Sequence, residues 1–344
     1  MARLLLVVYA ALTAYASLHP LEGWRDFGLS PFAYLSAPWP RHVTRFDIAV
    51  NILGYVPLGF LAVAALRPRV TGIPAFAIST LLAFAVTLLL EALQGYLPAR
   101  FPSNLDVLSN LGGAALGAAA GVRFGGAIAE GALYQWRRRA FLPGPAADFG
   151  LLLVALWLFA QLNPTMLVFA GGDLRDLLAA GEGRARGPEY FIAIEAVTVA
   201  ANLAAVGLLF SLLGATRGQV VLVVLAALLV KTAAYAVVMR AENVLGWLSP
   251  GAQIGLAVGL AAALLAASAP RVIRFALAAF LIMAATVLLN LAPPNPYLAA
   301  SLKVWQQGHF LNFNGLTRVV SSLWPFIALG YLIYLAARRR DPVG

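Results

Sequence analysis

The sequence has no cysteine among its 344 residues, which excludes a disulfide framework, a thiolate metal site and a thiol nucleophile. Histidine is also scarce: His19, His42 and His309 form no helical pair of the H-E-x-x-H kind, so we expect no metal ion and no cofactor. Neither a phosphate-cradling glycine loop with its lysine nor a serine triad can be recognised in the sequence.

Charge is scarce as well. Charged residues make up 11% of the chain and hydrophobic residues 62%, and the mean hydropathy is +0.85. These values lie far outside those of soluble globular domains. Ten apolar runs are long enough, at 1.5 Å per helical residue, to approach or cross about 30 Å of hydrocarbon. We therefore predict an all-α, polytopic membrane protein with about ten transmembrane helices, at 3–18, 46–66, 74–96, 104–122, 148–169, 190–212, 219–239, 250–268, 272–292 and 321–337.

The net charge of +10 does not indicate nucleic acid, because the basic residues are spread over short loops between the spans. The tight clusters, Arg137 to Arg139 and Arg338 to Arg340, fit a positive-inside topology. We expect a bacterial inner (cytoplasmic) membrane protein with both termini in the cytoplasm. Arg3 and the "AYA" at Ala14 to Ala16 resemble a cleavable signal peptide, but we expect the first span to be retained.

The longest inner loop divides the chain. We predict a four-helix membrane domain at 1–125, a cytoplasmic basic linker at 126–147 and a six-helix membrane extension at 148–344. The extension also reads as a degenerate repeat of the first half. That alignment pairs Asn51 with Asn202, places Lys231 where Glu91 stands, and matches two glycine series, Gly112, Gly117, Gly121 and Gly251, Gly255, Gly259.

Polar side chains within the predicted spans occur as pairs at helical spacing. They are Asp47 with Asn51, Glu91 with Gln94, and Asp106 with Asn110. Each pair lies on one face of its helix, and such residues usually face protein or water because they are costly in lipid. The predicted topology brings all three pairs to the outer leaflet, where Arg45, Arg100 and Ser103 adjoin them. We therefore predict one polar cluster at one face of the membrane.

Structural roles are the alternatives for these residues. Asp106 could cap the fourth helix, with Ser103 or Asn104 as rival caps. Asn51 and Asn110 could form hydrogen bonds that join helices. The face of Gly112, Gly113, Gly117 and Gly121 indicates close helix packing. Lys231 could pair with an acid or extend toward the membrane surface. The aromatic segment around His309 is typical of a membrane interface.

The stretches "RFDIAVNILGYVPLGFL" and "EALQGYLPARFPSNLDVLSNLGGAALGAAAG" resemble the VanZ-like membrane proteins. The resemblance covers residues 1 to about 125. The positions that carry it are Asp47, Asn51, Pro57, Gly59, Glu91, Gln94, Arg100, Ser103, Asp106, Asn110 and Gly112. The family is named for low-level teicoplanin resistance, so the resemblance implies a cell-envelope role and leaves the molecular activity open.

Our main hypothesis is that the cluster binds or handles an amphiphilic or lipid-linked envelope molecule, either a membrane lipid or a lipid-linked precursor. Arg45 and Arg100 would hold its phosphate or carboxylate. A second hypothesis is an intramembrane enzyme in which Glu91 acts as acid or base while Asp47 or Asp106 holds a metal or orients water. A third is a helix-bundle scaffold for envelope assembly. The sequence does not decide whether the protein is an enzyme.

Overall fold

The computed structural model describes residues 1–40, 44–175, 186–238, 244–295 and 311–337. These residues form helices, turns and loops and no strand. The helices are α1 (Ala2–Leu18), α2 (Arg45–Leu66), α3 (Gly72–Gln94), α4 (Asn104–Glu130), α5 (Ala132–Ala140), α6 (Pro145–Ala160), α7 (Pro188–Leu212), α8 (Arg217–Val238), α9 (Pro250–Ala266), α10 (Arg271–Leu291) and α11 (Leu311–Ala337).

Each of the ten predicted spans corresponds to one helix, so the all-α membrane architecture is confirmed. Seven helices are long and apolar enough to cross a membrane, or eight if Tyr134–Ala140 and Pro145–Ala160 are two parts of one broken span. The shorter apolar helices α1 and α9 have 17 residues each, and α6 has 16. At 1.5 Å per residue they measure about 24–26 Å, less than the ~30 Å of a bilayer core.

The chain forms two compact units, Met1–Arg139 and Ala140–Gly344. The boundary lies within the predicted linker at 126–147, most of which is helical in α4 and α5. The N-terminal unit contains α1 to α4 and nearly all of α5, with the long segment 19–44 between α1 and α2. The C-terminal unit has a core around Trp157, Phe169, Leu209 and Trp324.

Close helix contact in the N-terminal unit depends on glycine. A Cβ added to Gly113, Gly117 or Gly121 of α4 would collide with or crowd α2, at the backbone of Ile52, at that of Val56 and at Val63. These contacts advance in the same direction along both helices, so α2 and α4 run parallel. Gly112 has open space around its Cβ position, so the prediction that it shares the packing face was wrong. Adjacent helix positions point about 100° apart, which places Gly112 on another face.

The C-terminal unit contains a similar parallel pair. Gly251, Gly255 and Gly259 of α9 contact α7 at Ile192, Ala196 and Ala200. If the two helix pairs are compared by their glycine contacts, Ile192 of α7 is equivalent to Ile52 of α2, an offset of 140 residues in sequence. The sequence alignment instead paired Asn51 with Asn202, an offset of 151 residues. The packing therefore does not follow that alignment of α2 with α7, and the predicted duplication stays a prediction.

Candidate functional site

The predicted polar residues lie where α1 and α3 end and where α2 and α4 begin; we call this the polar end of the N-terminal unit. Sequence and capping explain why helices begin here. Thr44 caps α2 in a capping box in which its side chain accepts from the Asp47 N–H at 3.1 Å and its own N–H donates to Asp47 Oδ2 at 3.1 Å. Ser103 caps α4 by accepting from the Leu105 N–H at 3.2 Å.

The second polar residue of α2 joins that helix to α4. Asn51 Nδ2 donates to Asp106 Oδ1 at 2.8 Å, and both side chains are half-buried. Because Ser103 fills the capping position, Asp106 serves as an interhelical acceptor rather than as the N-cap. Asp47, four residues before Asn51, lies in the first turn of α2.

Glu91 is the most deeply placed acid of the polar end, with an exposed fraction of 3%. Its Oε2 accepts from the backbone N–H of Ser103 at 2.9 Å. This bond joins the last turns of α3 to the start of α4 and helps to hold the connecting turn at 95–102. One turn earlier on α3, buried Thr87 Oγ1 accepts from Asn110 Nδ2 at 2.8 Å. Sequence reasoning missed Thr87, although its position four residues before Glu91 places both on one helix face.

Two of the predicted residues bind the end of α1. Gln94 Nε2 donates to the Ser17 carbonyl at 3.0 Å. Arg100 donates from Nε to the His19 carbonyl at 2.8 Å and from Nη2 to the Ala16 carbonyl at 3.1 Å. Burial lowers the pKa of Arg100, and the negative charge of Glu91 acts in the opposite direction. The guanidinium therefore interacts with a buried acid and with α1.

A cavity of about 380 Å³ lies at the polar end. Its walls are two chain segments, one within 26–37 and the other within 95–102. Most of its lining is apolar or aromatic, with Arg100 and Asp26 as the charged members. The remaining lining residues are Phe27, Leu29, Ser30, Pro31, Ala33, Tyr34, Ala37, Gly95, Tyr96, Leu97, Pro98, Phe101 and Pro102.

The nine predicted site residues all lie toward the polar end, but they do not form one open cluster. Asp47, Asn51 and Asp106 lie along α2 and α4; Glu91, Ser103 and Asn110 join α3 to α4; Gln94 and Arg100 hold α1. Arg45 is exposed on the first turn of α2 and does not line the cavity. Of the nine, only Arg100 lines the cavity. Within the described residues, no three histidine, aspartate or glutamate side chains are grouped so as to hold a metal ion.

Other residues singled out in the sequence lie elsewhere. Lys231, fully buried in the C-terminal unit, donates from Nζ to the carbonyls of Asn163 and Met166 at 2.6 and 2.7 Å. It therefore neither extends to the surface nor pairs with an acid within the described part of the chain. Asn202 donates to the Thr198 carbonyl of its own helix at 3.0 Å. His42, His309 and the cluster Arg338 to Arg340 lie outside the described residues.

Helices of this length and hydropathy, together with buried polar contacts between them, define a polytopic α-helical membrane protein. Residues 3–124 match the family model of VanZ/LLP1. The resemblance inferred over residues 1 to about 125 is therefore confirmed, and the N-terminal unit is VanZ-like. The match covers less than half of the chain and does not extend to the C-terminal unit. Neither a curated protein nor a solved structure matches the sequence.

Proposed function

We propose that the N-terminal unit binds an amphiphilic or lipid-linked envelope molecule with an anionic head group in the cavity at the polar end. The observation that carries this proposal is the cavity itself, which Arg100 lines together with apolar and aromatic residues. We further propose that the protein lies in a bacterial inner membrane with both termini in the cytoplasm, so that the polar end faces the outer leaflet.

The cavity suits an amphiphile by size and lining. Its volume of about 380 Å³ falls within the roughly 300–1,000 Å³ range of small-molecule sites. Guanidinium groups bind phosphates and carboxylates through parallel N–H donors, which explains the preference for an anionic head group. The aromatic lining, including Phe27, Tyr34 and Phe101, offers apolar contact for the part of the ligand next to that head group.

The position of Glu91 favours binding over catalysis. Glu91 is 3% exposed, accepts from the Ser103 N–H through Oε2 and does not line the cavity. An acid or base must reach the proton that it transfers, within about 3 Å or through one water. In this arrangement Glu91 instead holds the start of α4 against the last turns of α3.

Teicoplanin-type resistance follows from this proposal if the ligand is a lipid-linked wall precursor. Binding would then change the amount or the display of the molecule that a glycopeptide antibiotic recognises. Expression of the wild-type chain in a susceptible bacterium would lower its susceptibility to teicoplanin, and the Arg100→Ala variant would not.

The direct test is lipid-targeted native mass spectrometry of the purified full-length protein. We expect an anionic lipid to co-purify with the wild type and to be lost from Arg100→Ala. Gln94→Ala is the matched control, because Gln94 also binds the end of α1 but does not line the cavity. This control should keep the lipid.

Identical lipid profiles in all three proteins, at equal thermal stability, would reject the binding proposal. Loss of the lipid from both variants would also count against it, because the effect would then follow the attachment of α1 rather than the cavity. The Glu91→Gln variant separates binding from catalysis. If the protein only binds, the variant keeps its ligand and there is no turnover to lose. If the protein is an enzyme, the variant keeps its ligand but loses turnover, so unreacted substrate accumulates.

A further inference from the structure

The segment between α1 and α2 reaches far along the outside of α3. The Tyr34 hydroxyl donates to the Leu88 carbonyl at 3.2 Å, and its ring packs with Ala92 and Val107. Leu88 precedes the last residue of α3 by six positions, which corresponds to about 9 Å along the helix axis. The Tyr34 side chain therefore lies alongside α3, while the Ala37 carbonyl that follows it accepts from Asn104 at the start of α4.

This depth can be compared with the bilayer. With 23 residues, α3 is about 35 Å long, close to the ~30 Å thickness of the hydrocarbon core. Its last residue therefore lies near the boundary of that core, and the Leu88 carbonyl lies several ångströms inside it. The short 3₁₀ turn Ala33–Ser36 carries Tyr34, whose side chain reaches this depth.

The composition of the segment fits that environment. Residues 27–39, "FGLSPFAYLSAPW", contain no charged side chain, while Glu22, Arg25 and Asp26 precede them. Leu29 is 72% exposed and Leu35 is 48% exposed, and Phe32 and Trp39 are also largely exposed. Apolar side chains that protein does not cover, on a segment that Tyr34 attaches to a membrane-spanning helix, are suited to contact with lipid.

Backbone polarity normally prevents irregular chain from entering hydrocarbon, unless its N–H and C=O groups find partners. Two prolines here, Pro31 and Pro38, have no N–H. Turn hydrogen bonds satisfy other groups: Ala33 N–H to Ser30 O at 3.0 Å, Leu35 N–H to Phe32 O at 3.1 Å and Ala37 N–H to Tyr34 O at 3.3 Å. Asn104 Nδ2 also donates to the Ala37 carbonyl at 2.7 Å.

We infer that residues 27–39 form a re-entrant segment inserted into the membrane leaflet around the polar end, with Leu29, Phe32 and Leu35 in contact with lipid acyl chains. Because this segment is one wall of the cavity, the cavity lies at the level of the head groups and upper acyl chains. If the proposed function is correct, the ligand reaches Arg100 sideways from the bilayer and not from water.

The absence of cysteine allows a clean test, because each single-cysteine variant carries one label. Leu35→Cys in the full-length protein would be labelled with a nitroxide in liposomes, and its collisions with oxygen and with a water-soluble nickel chelate would be measured. Leu89→Cys, on the 60% exposed position next to Leu88, is the membrane reference. Arg69→Cys, in the exposed turn between α2 and α3, is the aqueous reference.

We expect the labelled Leu35→Cys to favour oxygen over the nickel chelate as strongly as Leu89→Cys does. A collision ratio like that of Arg69→Cys would overturn the inference. Leu29→Cys repeats the measurement at a second exposed position, so one poorly folded variant does not decide the result. The measurement needs no ligand, so it is independent of the proposed function. If the segment is inserted but no lipid co-purifies, only the proposed function is rejected. If a lipid co-purifies but the segment is not inserted, only the present inference is rejected.

Discussion

The glycine contacts between α2 and α4 predict different effects for two alanine substitutions on α4. In Gly117→Ala the new Cβ would meet the Val56 carbonyl oxygen and lie about 3.0 Å from the Phe60 nitrogen. Both are backbone atoms, so no side chain can rotate away and the helices must separate. In Gly112→Ala the Cβ meets nothing within 4 Å.

The magnitudes follow from this difference. Both substitutions gain about 0.5–1 kcal/mol from the better helix propensity of alanine. Gly117→Ala also carries an overpacking cost of about 1–3 kcal/mol. Since the propensity gain is common to both, the difference between the two variants measures the overpacking cost directly. We expect Gly117→Ala to be less stable than Gly112→Ala by that amount.

Unfolding by SDS in mixed micelles, followed by the loss of helical circular dichroism, would measure both variants against the wild type. Gly113→Ala should behave like Gly117→Ala, because its Cβ would collide with the Ile52 carbonyl. Equal unfolding midpoints for Gly112→Ala and Gly117→Ala would refute the packing argument.

Three further predictions concern other contacts. A double-mutant cycle of Asn51→Ala and Asp106→Ala should give a coupling of about 0.6 kcal/mol, the average for membrane hydrogen bonds; additive effects on the unfolding free energy would contradict the 2.8 Å bond. Lys231→Met removes the donor from two carbonyls and should destabilise the protein by about 1–3 kcal/mol per stranded acceptor; a melting temperature equal to that of the wild type would contradict this. Burial raises the pKa of Asp173, but the hydrogen bonds and charge of Arg175 lower it more, so the net pKa lies below its ordinary value. The pair therefore stabilises the protein above the ordinary aspartate pKa of about 4, and this contribution is lost as the pH falls through the lowered pKa. Melting temperatures measured from pH 6 to pH 3 should fall less steeply for Asp173→Asn than for the wild type, and parallel curves would contradict the assignment.

The helices could be predicted from sequence because a run of apolar residues needs no partner to be recognised. Helix packing could be predicted only in part. The glycine spacing indicated a close contact for α4, but a shift of one position moves a side chain by about 100°, and Gly113 rather than Gly112 faces α2. Which of two adjacent glycines is buried depends on the neighbouring helix, about which local sequence holds no information.

The polar end could be located from sequence, but its contacts could not. Arg100 and Gln94 bind backbone carbonyls of α1, and a carbonyl has no sequence signature because every residue carries one. The contact of Tyr34 with α3 was missed for a related reason: a long aromatic loop reads as a surface segment until its partner, the Leu88 carbonyl, is known.

The glycine contacts of α4 also limit how the N-terminal unit can move. At Gly113, Gly117 and Gly121 the backbone of α4 lies directly against the backbone or a side chain of α2, with no side chain of α4 between them. Sliding one helix past the other would therefore cause collisions at each of these positions. We expect these two helices to behave as a rigid body. Both chain segments that line the cavity, 26–37 and 95–102, lie outside this rigid pair, so an opening that admits or releases a ligand does not require α2 and α4 to separate.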